Sequence, residues 1–125
     1  MSLEHKHLIL KGKSKILTVE QVKSWIENLV TELDMELVKN MPANPSVGYE
    51  GSKDCGVSGV AIITTSHIVM HTWDKTLEFQ LDVYSCKNFE PITVKNQLDK
   101  IGFEITDVKF FDREYNIIEL DSKIN

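Results

Sequence analysis

Apolar and polar positions along this 125-residue chain follow two different rhythms. After Thr18, residues Val22, Ile26, Leu29, Val30 and Leu33 recur at three- and four-residue intervals, the spacing of one helical face. Thr18 with Gln21 three positions on forms a capping box. Together they predict a helix running to Asp34. Before it, Leu8, Ile9 and Leu10 beside His7 make a short apolar run ending at Gly12, which reads as a first strand. After it, Met35 to Val38 is expected to be a second strand. The stretch from Lys39 to Gly56 carries Pro42, Pro45, Gly48 and Gly51 and shows neither period, so it is expected to be a long loop and a candidate pocket wall.

From Val57 onward the texture is β. Val60 to Thr65 is rich in β-branched residues and predicts a strand buried on both faces, and His67 to Trp73 continues in the same style. Asp74, Lys75 and Thr76 form the expected turn. Leu77, Phe79, Leu81 and Val83 then alternate with polar partners, the mark of a strand with one wet face. Pro91 opens a second helix whose apolar positions are Val94, Leu98 and Ile101, with Gly102 at its C-terminal cap. A last strand runs from Phe103 to about Phe111, and its broken alternation predicts a bulge near Asp107. No structure is assigned beyond Arg113.

This order predicts a single α+β domain over residues 1–125, a two-layer arrangement of an antiparallel sheet with two helices on one face. Two helices leave the other face bare. A second copy packing sheet to sheet is the simplest cover, so a homodimer in the form of an αββα sandwich is expected.

Composition narrows the function classes. Fourteen Lys+Arg against nineteen Asp+Glu give a net charge of −5, and 42% of residues are hydrophobic, ordinary for a globular chain and unlike a disordered one. No basic cluster points to nucleic acid. No apolar run approaches the roughly 20 residues of a membrane span, and the charged N-terminus does not resemble a signal peptide, so a cytoplasmic protein is expected. Cys55 and Cys86 form neither a CxxC pair nor a disulfide framework.

Reactive side chains gather in one region: Ser58, Ser66, His67, His71 and Cys86. Each has an ordinary structural reading, since serine is common in strands and a buried cysteine is usually a small hydrophobe. His67 and His71 are four apart, but their β-branched surroundings and the lack of an intervening glutamate argue against a zinc-protease motif, so no metal is expected. On side-chain chemistry alone the structural reading is preferred.

The string as a whole changes that. Gly56-Val57-Ser58-Gly59-Val60, Ser66-His67-Ile68, His71-Thr72-Trp73 and Asp82-Val83-Tyr84-Ser85-Cys86 resemble the short, prokaryotic-type S-adenosylmethionine decarboxylases. Ser66 is followed five positions later by His71 and fifteen after that by Cys86, the intervals of that family, and Lys6-His7-Leu8-Ile9 is similar to its opening strand. The resemblance implies self-cleavage between Thr65 and Ser66, which would convert Ser66 into a covalent pyruvoyl group, with no metal required. It makes His71 the processing acid and base and Ser58 an oxyanion-binding group. The new ketone would condense with the substrate amine and draw electrons as carbon dioxide leaves. Cys86 would return a proton to the substrate α-carbon. Because five is odd, a straight strand would place Ser66 and His71 on opposite faces, so a bend or bulge between them is expected.

Departures from the family concern mainly the substrate. Thr65 stands where glutamate usually precedes the reactive serine, and Asp74-Lys75 replaces the Pro-Glu whose glutamate grips the ribose hydroxyls. Lysine has donors and no acceptor, and its charge opposes a sulfonium. Ser52 stands where a phenylalanine stacks on adenine, with Tyr49 as a possible substitute, and Lys87 follows Cys86 where glycine is usual. Three readings stay open: S-adenosylmethionine decarboxylase in polyamine synthesis, a pyruvoyl decarboxylase for a basic amino acid such as arginine or ornithine, and an unprocessed relative that binds a ligand or a paralogue.

Overall fold

Strand alternation and helix caps place most of the chain. The computed structural model describes residues 4–38, 42–47, 55–64 and 66–124, without the side chains of 46 and 47. The elements are β1 (Lys6–Lys13), α1 (Val19–Glu32), β2 (Asn44–Val47), β3 (Val57–Ile63), β4 (Ser66–Trp73), β5 (Glu78–Ser85), α2 (Pro91–Lys100), β6 (Glu104–Asp112) and β7 (Ile118–Leu120). The seven strands form one sheet in the order β2-β3-β4-β5-β1-β6-β7, with every pairing antiparallel.

Both helices lie on one face, as the alternation requires. Helix α1 starts with the expected reciprocal cap, Thr18 Oγ1 accepting from the Gln21 amide and Gln21 Oε1 from the Thr18 amide, and it buries Val22, Trp25, Ile26, Leu29 and Val30. The Trp25 indole N–H donates to the Gln97 carbonyl at 2.8 Å, tying α1 to α2. Gly59 lies beneath α1, and a Cβ there would come within 2.7 Å of Ile26 Cδ1 and 2.9 Å of Val22 Cγ1. Gly102, with φ +74°, takes the left-handed conformation expected after α2.

Four expectations are corrected. Met35 to Val38 is not a strand: only Leu37 bridges to Ile63. The expected loop contains β2, whose residues pair with Asn44 opposite Val60 and Val47 opposite Val57. And β3 is not buried on both faces, because it alternates, leaving Val60 37% and Ile62 46% exposed. β-Branched composition fits a pleated surface without saying how many layers cover it. Leu77, expected to point inward, sits instead in the turn after β4 with φ +54° and is exposed. The bulge near Asp107 is present. Lys11 pairs with Asp107 but Gly12 with Ile105, so Thr106 is the extra residue. The tail left unassigned holds β7, paired with the end of β6.

Candidate active site

Strand β4 carries both predicted reactive residues, one near each end. Its pairing with β3 runs without interruption from Ile63 opposite Ser66 to Ser58 opposite His71, and its pairing with β5 is equally regular from His67 to Trp73. The expected bend between Ser66 and His71 is therefore absent. Five residues of unbroken strand separate them by about 16 Å and turn them to opposite faces. Ser66 is buried and His71 exposed.

Each has a different partner. Ser66 Oγ lies 4.0 Å from Cys86 Sγ and accepts the Cys86 backbone N–H at 3.3 Å. A cavity of about 310 Å³ opens beside this pair, its wall including Ile63, Ser85, Met35, Asp34, Glu36 and Lys87. Sequence singles out Lys87 only as a departure from the family's usual glycine, and Asp34 and Glu36 not at all. Lys87 Nζ reaches across to the end of α1, where it donates to the Asp34 carbonyl at 2.8 Å and its carboxylate at 3.1 Å. The Lys87 amide donates to Ser85 Oγ at 2.9 Å. The only available signal was that Lys87 adjoins Cys86; Asp34 and Glu36 come near through the turn after α1.

On the other face, Ser58 Oγ and His71 Nδ1 share a hydrogen bond of 2.8 Å. The intervening threonine of His-Thr-Trp keeps them level: buried Thr72 accepts the Val57 N–H at 2.9 Å and donates to the Val57 carbonyl. Lys75 is exposed in the turn that follows β4, at the opposite end of the strand from Ser66, so within one chain it cannot line the Ser66 cavity. Cys55 sits near that same turn, its thiol 4.0 Å from Asp74 Oδ2. Thr65 and Tyr49 lie outside the described residues.

The profile of the S-adenosylmethionine decarboxylase family matches residues 9–114. The chain belongs to that family. It is 40% identical over 67 residues to the S-adenosylmethionine decarboxylase proenzyme of Pyrococcus horikoshii, covering 51% of this chain and 48% of the relative. To the proenzyme of Geobacillus sp. (strain WCH70) it is 33% identical over 66 residues, or 52% and 53%. The chain thus spans about half the length of the curated relatives it matches. A solved structure, the adenosylmethionine decarboxylase from Aquifex aeolicus VF5, shares the fold with a TM-score of 0.65 at 19% identity, covering 98% of this chain and 99% of that one. Family membership accounts for the motif spacing, and the likeness to the solved structure is one of overall fold. Among the described residues, no helix is long and apolar enough to cross a membrane.

Proposed function

We propose that the chain is a self-cleaving, pyruvoyl-dependent S-adenosylmethionine decarboxylase of the cytosol, supplying the aminopropyl donor for polyamine synthesis. The observation that carries this is the Ser66–Cys86 pair beside a cavity, at the family's motif spacing. Ser66 Oγ attacks the Thr65 carbonyl carbon; the Thr65–Ser66 C–N bond breaks and an ester forms. Loss of the Ser66 α-proton then expels the Thr65 carboxylate. The resulting dehydroalanine takes up water and releases ammonia, leaving a pyruvoyl group.

That group supplies an electron sink for decarboxylation. The surrounding residues suit it: the Cys86 amide already addresses Ser66 Oγ, and the cavity leaves room for a substrate. Cys86 Sγ is the proton donor to the substrate α-carbon. Glu36 on the cavity wall offers a carboxylate to a cationic substrate, whereas that of Asp34 is taken up by Lys87 of the same wall. Tyr49 stays the proposed adenine-stacking residue.

His71 near the far end of β4, Ser58 opposite it on β3 and Lys75 in the turn beyond are too far from Ser66 to serve it within their own chain. We therefore place them at the site of a second copy, in a homodimer that covers the outer face of the sheet. That face is supplied with apolar groups for the purpose: Ile9, Val60 and Ile62 are each more than a third exposed. The oxyanion-binding Ser58 and the processing base His71 would then come from the partner subunit, approaching the Thr65–Ser66 bond at the end of β4 rather than through the sheet.

Intact-mass analysis tests the core of this reading. Cleavage at Ser66 yields fragments of 65 and 60 residues from the 125-residue chain, and the cleaved protein releases carbon dioxide from S-adenosylmethionine in preference to arginine or ornithine. A chain that stays whole after long incubation refutes it.

A further inference from the structure

Three strands of the outer sheet face converge on a cluster that neither processing nor decarboxylation uses. His7 on β1 and His67 on β4 both pair with Tyr84 on the intervening β5, so their side chains flank that strand from either side on the same face. Asp82, two residues before Tyr84, points the same way. His7 Nε2 is hydrogen-bonded to Asp82 Oδ1, and His67 Nε2 lies 3.7 Å from the same oxygen. The three ligand atoms lie within 4.8 Å of one another, and all three residues are partly buried.

We propose that His7, His67 and Asp82 form a binding site for a divalent transition-metal ion. In a tetrahedral site with bonds near 2.0–2.1 Å, ligand atoms stand about 3.4 Å apart. The His67–Asp82 separation is already close to that, and the His7–Asp82 pair must open only far enough for the ion to replace the shared proton. Two imidazoles and one carboxylate leave a fourth position for water and select zinc-like ions such as Zn²⁺ or Co²⁺ over Mg²⁺ and Ca²⁺, which favour all-oxygen shells. The site does not depend on the proposed decarboxylation.

The surroundings impose one condition. Arg113 Nη1 lies 3.1 Å from His7 Nδ1, and its guanidinium carbon is 4.7 Å above the Tyr84 ring. A guanidinium can only donate, so in this arrangement Nδ1 accepts and Nε2 carries the proton given to Asp82. Coordination through Nε2 moves that proton to Nδ1, and Arg113 must withdraw. Arg113 is exposed in a single chain, where it can swing away, but it opposes the metal by position and by charge. His5 belongs to the same neighbourhood without being a ligand: its Nδ1 is bonded to the Tyr84 hydroxyl at 2.7 Å.

Titration of the purified, metal-stripped protein with Co²⁺ and Zn²⁺ tests the site. Co²⁺ is expected to bind at one equivalent per chain, with visible d–d bands and no thiolate charge-transfer band, which separates this site from Cys55 and Cys86. Loss of partners beyond the ligand sphere typically costs 10–100-fold in affinity, so losing a ligand in His67→Ala should cost at least about a hundredfold. His5→Ala should leave binding unchanged, and Arg113→Ala should tighten it several-fold. Circular dichroism confirms that each variant is folded. Absence of a Co²⁺ spectrum in the parent protein, an unchanged spectrum in His67→Ala, or no tightening in Arg113→Ala would overturn the proposal.

Discussion

The two ends of β4 offer unlike settings to residues that the sequence places only five positions apart. Ser66 faces the helices, sheltered beside Cys86 and a cavity. His71 faces outward and is held by Ser58 on the neighbouring strand. One regular ladder imposes both positions, since alternation sends odd-numbered separations to opposite faces. Under the proposed function, the difference teaches that the period of a strand splits the candidate catalytic set, and that two copies are needed to bring its halves together.

The largest effect expected from breaking this split is on activity. Cys86→Ala should still cleave at Ser66 but lose turnover by about 10²–10⁴-fold, the usual worth of a positioned proton donor. His71→Ala should retard cleavage itself. Co-expressed, the two variant chains should recover about a quarter of the wild-type activity. Half of randomly formed dimers are then mixed, and each mixed dimer has one site built from undamaged halves. Carbon dioxide release by the co-expressed pair, against each variant alone, is the measurement. No recovery would mean that Ser66 and His71 of one chain meet after all, through a rearrangement of β4.

Legibility from sequence followed the strength of the local signal. The α1 cap at Thr18 and Gln21, the β6 bulge and the left-handed Gly102 were all visible, because each is written within a few neighbouring residues. The two-sided burial assigned to β3 was wrong for a physical reason: Val60 and Ile62 are as β-branched as their inward neighbours, so nothing in composition marks the outer face. Short β2 and β7 were missed because three or four residues carry too little pattern to outweigh nearby Pro, Gly and charge. At the site, the motif spacing pointed to Ser66, His71 and Cys86 but not to which residues share a face in space. Asp34 and Glu36 were invisible, since they reach the cavity through the turn after α1, where Lys87 from beyond β5 bonds to Asp34. The cluster of His7, His67 and Asp82 had a faint signal: all three fall at outward positions of their strands, but their convergence depends on β1 pairing with β5, which brings together His7 and Asp82 from 75 positions apart.

The same strand sharpens the contrast at the level of stability. Met70 is wholly buried beneath the helices, and Met70→Ala removes packed atoms that the surrounding core cannot fully replace. A loss of about 2–5 kcal/mol is expected, read from urea unfolding at fixed protein concentration. A cost below about 1 kcal/mol would show that the inner face is looser than its burial implies.

The smallest effect on the fold belongs to the outer face. Ile62 is 46% exposed in a single chain and lies on β3 opposite His67. Ile62→Asp puts a solvated carboxylate where water already reaches, so unfolding at low protein concentration should change by no more than about 0.5 kcal/mol. In a sheet-to-sheet dimer the same carboxylate would be buried without a partner, which is costly. Sedimentation should therefore show the variant as a monomer where the parent is a dimer. Because His71 would then have no second chain to serve, cleavage at Ser66 should slow along with dissociation. An Ile62→Asp chain that stays dimeric and cleaves normally would locate the partner elsewhere and remove the reason for dividing β4 into two half-sites.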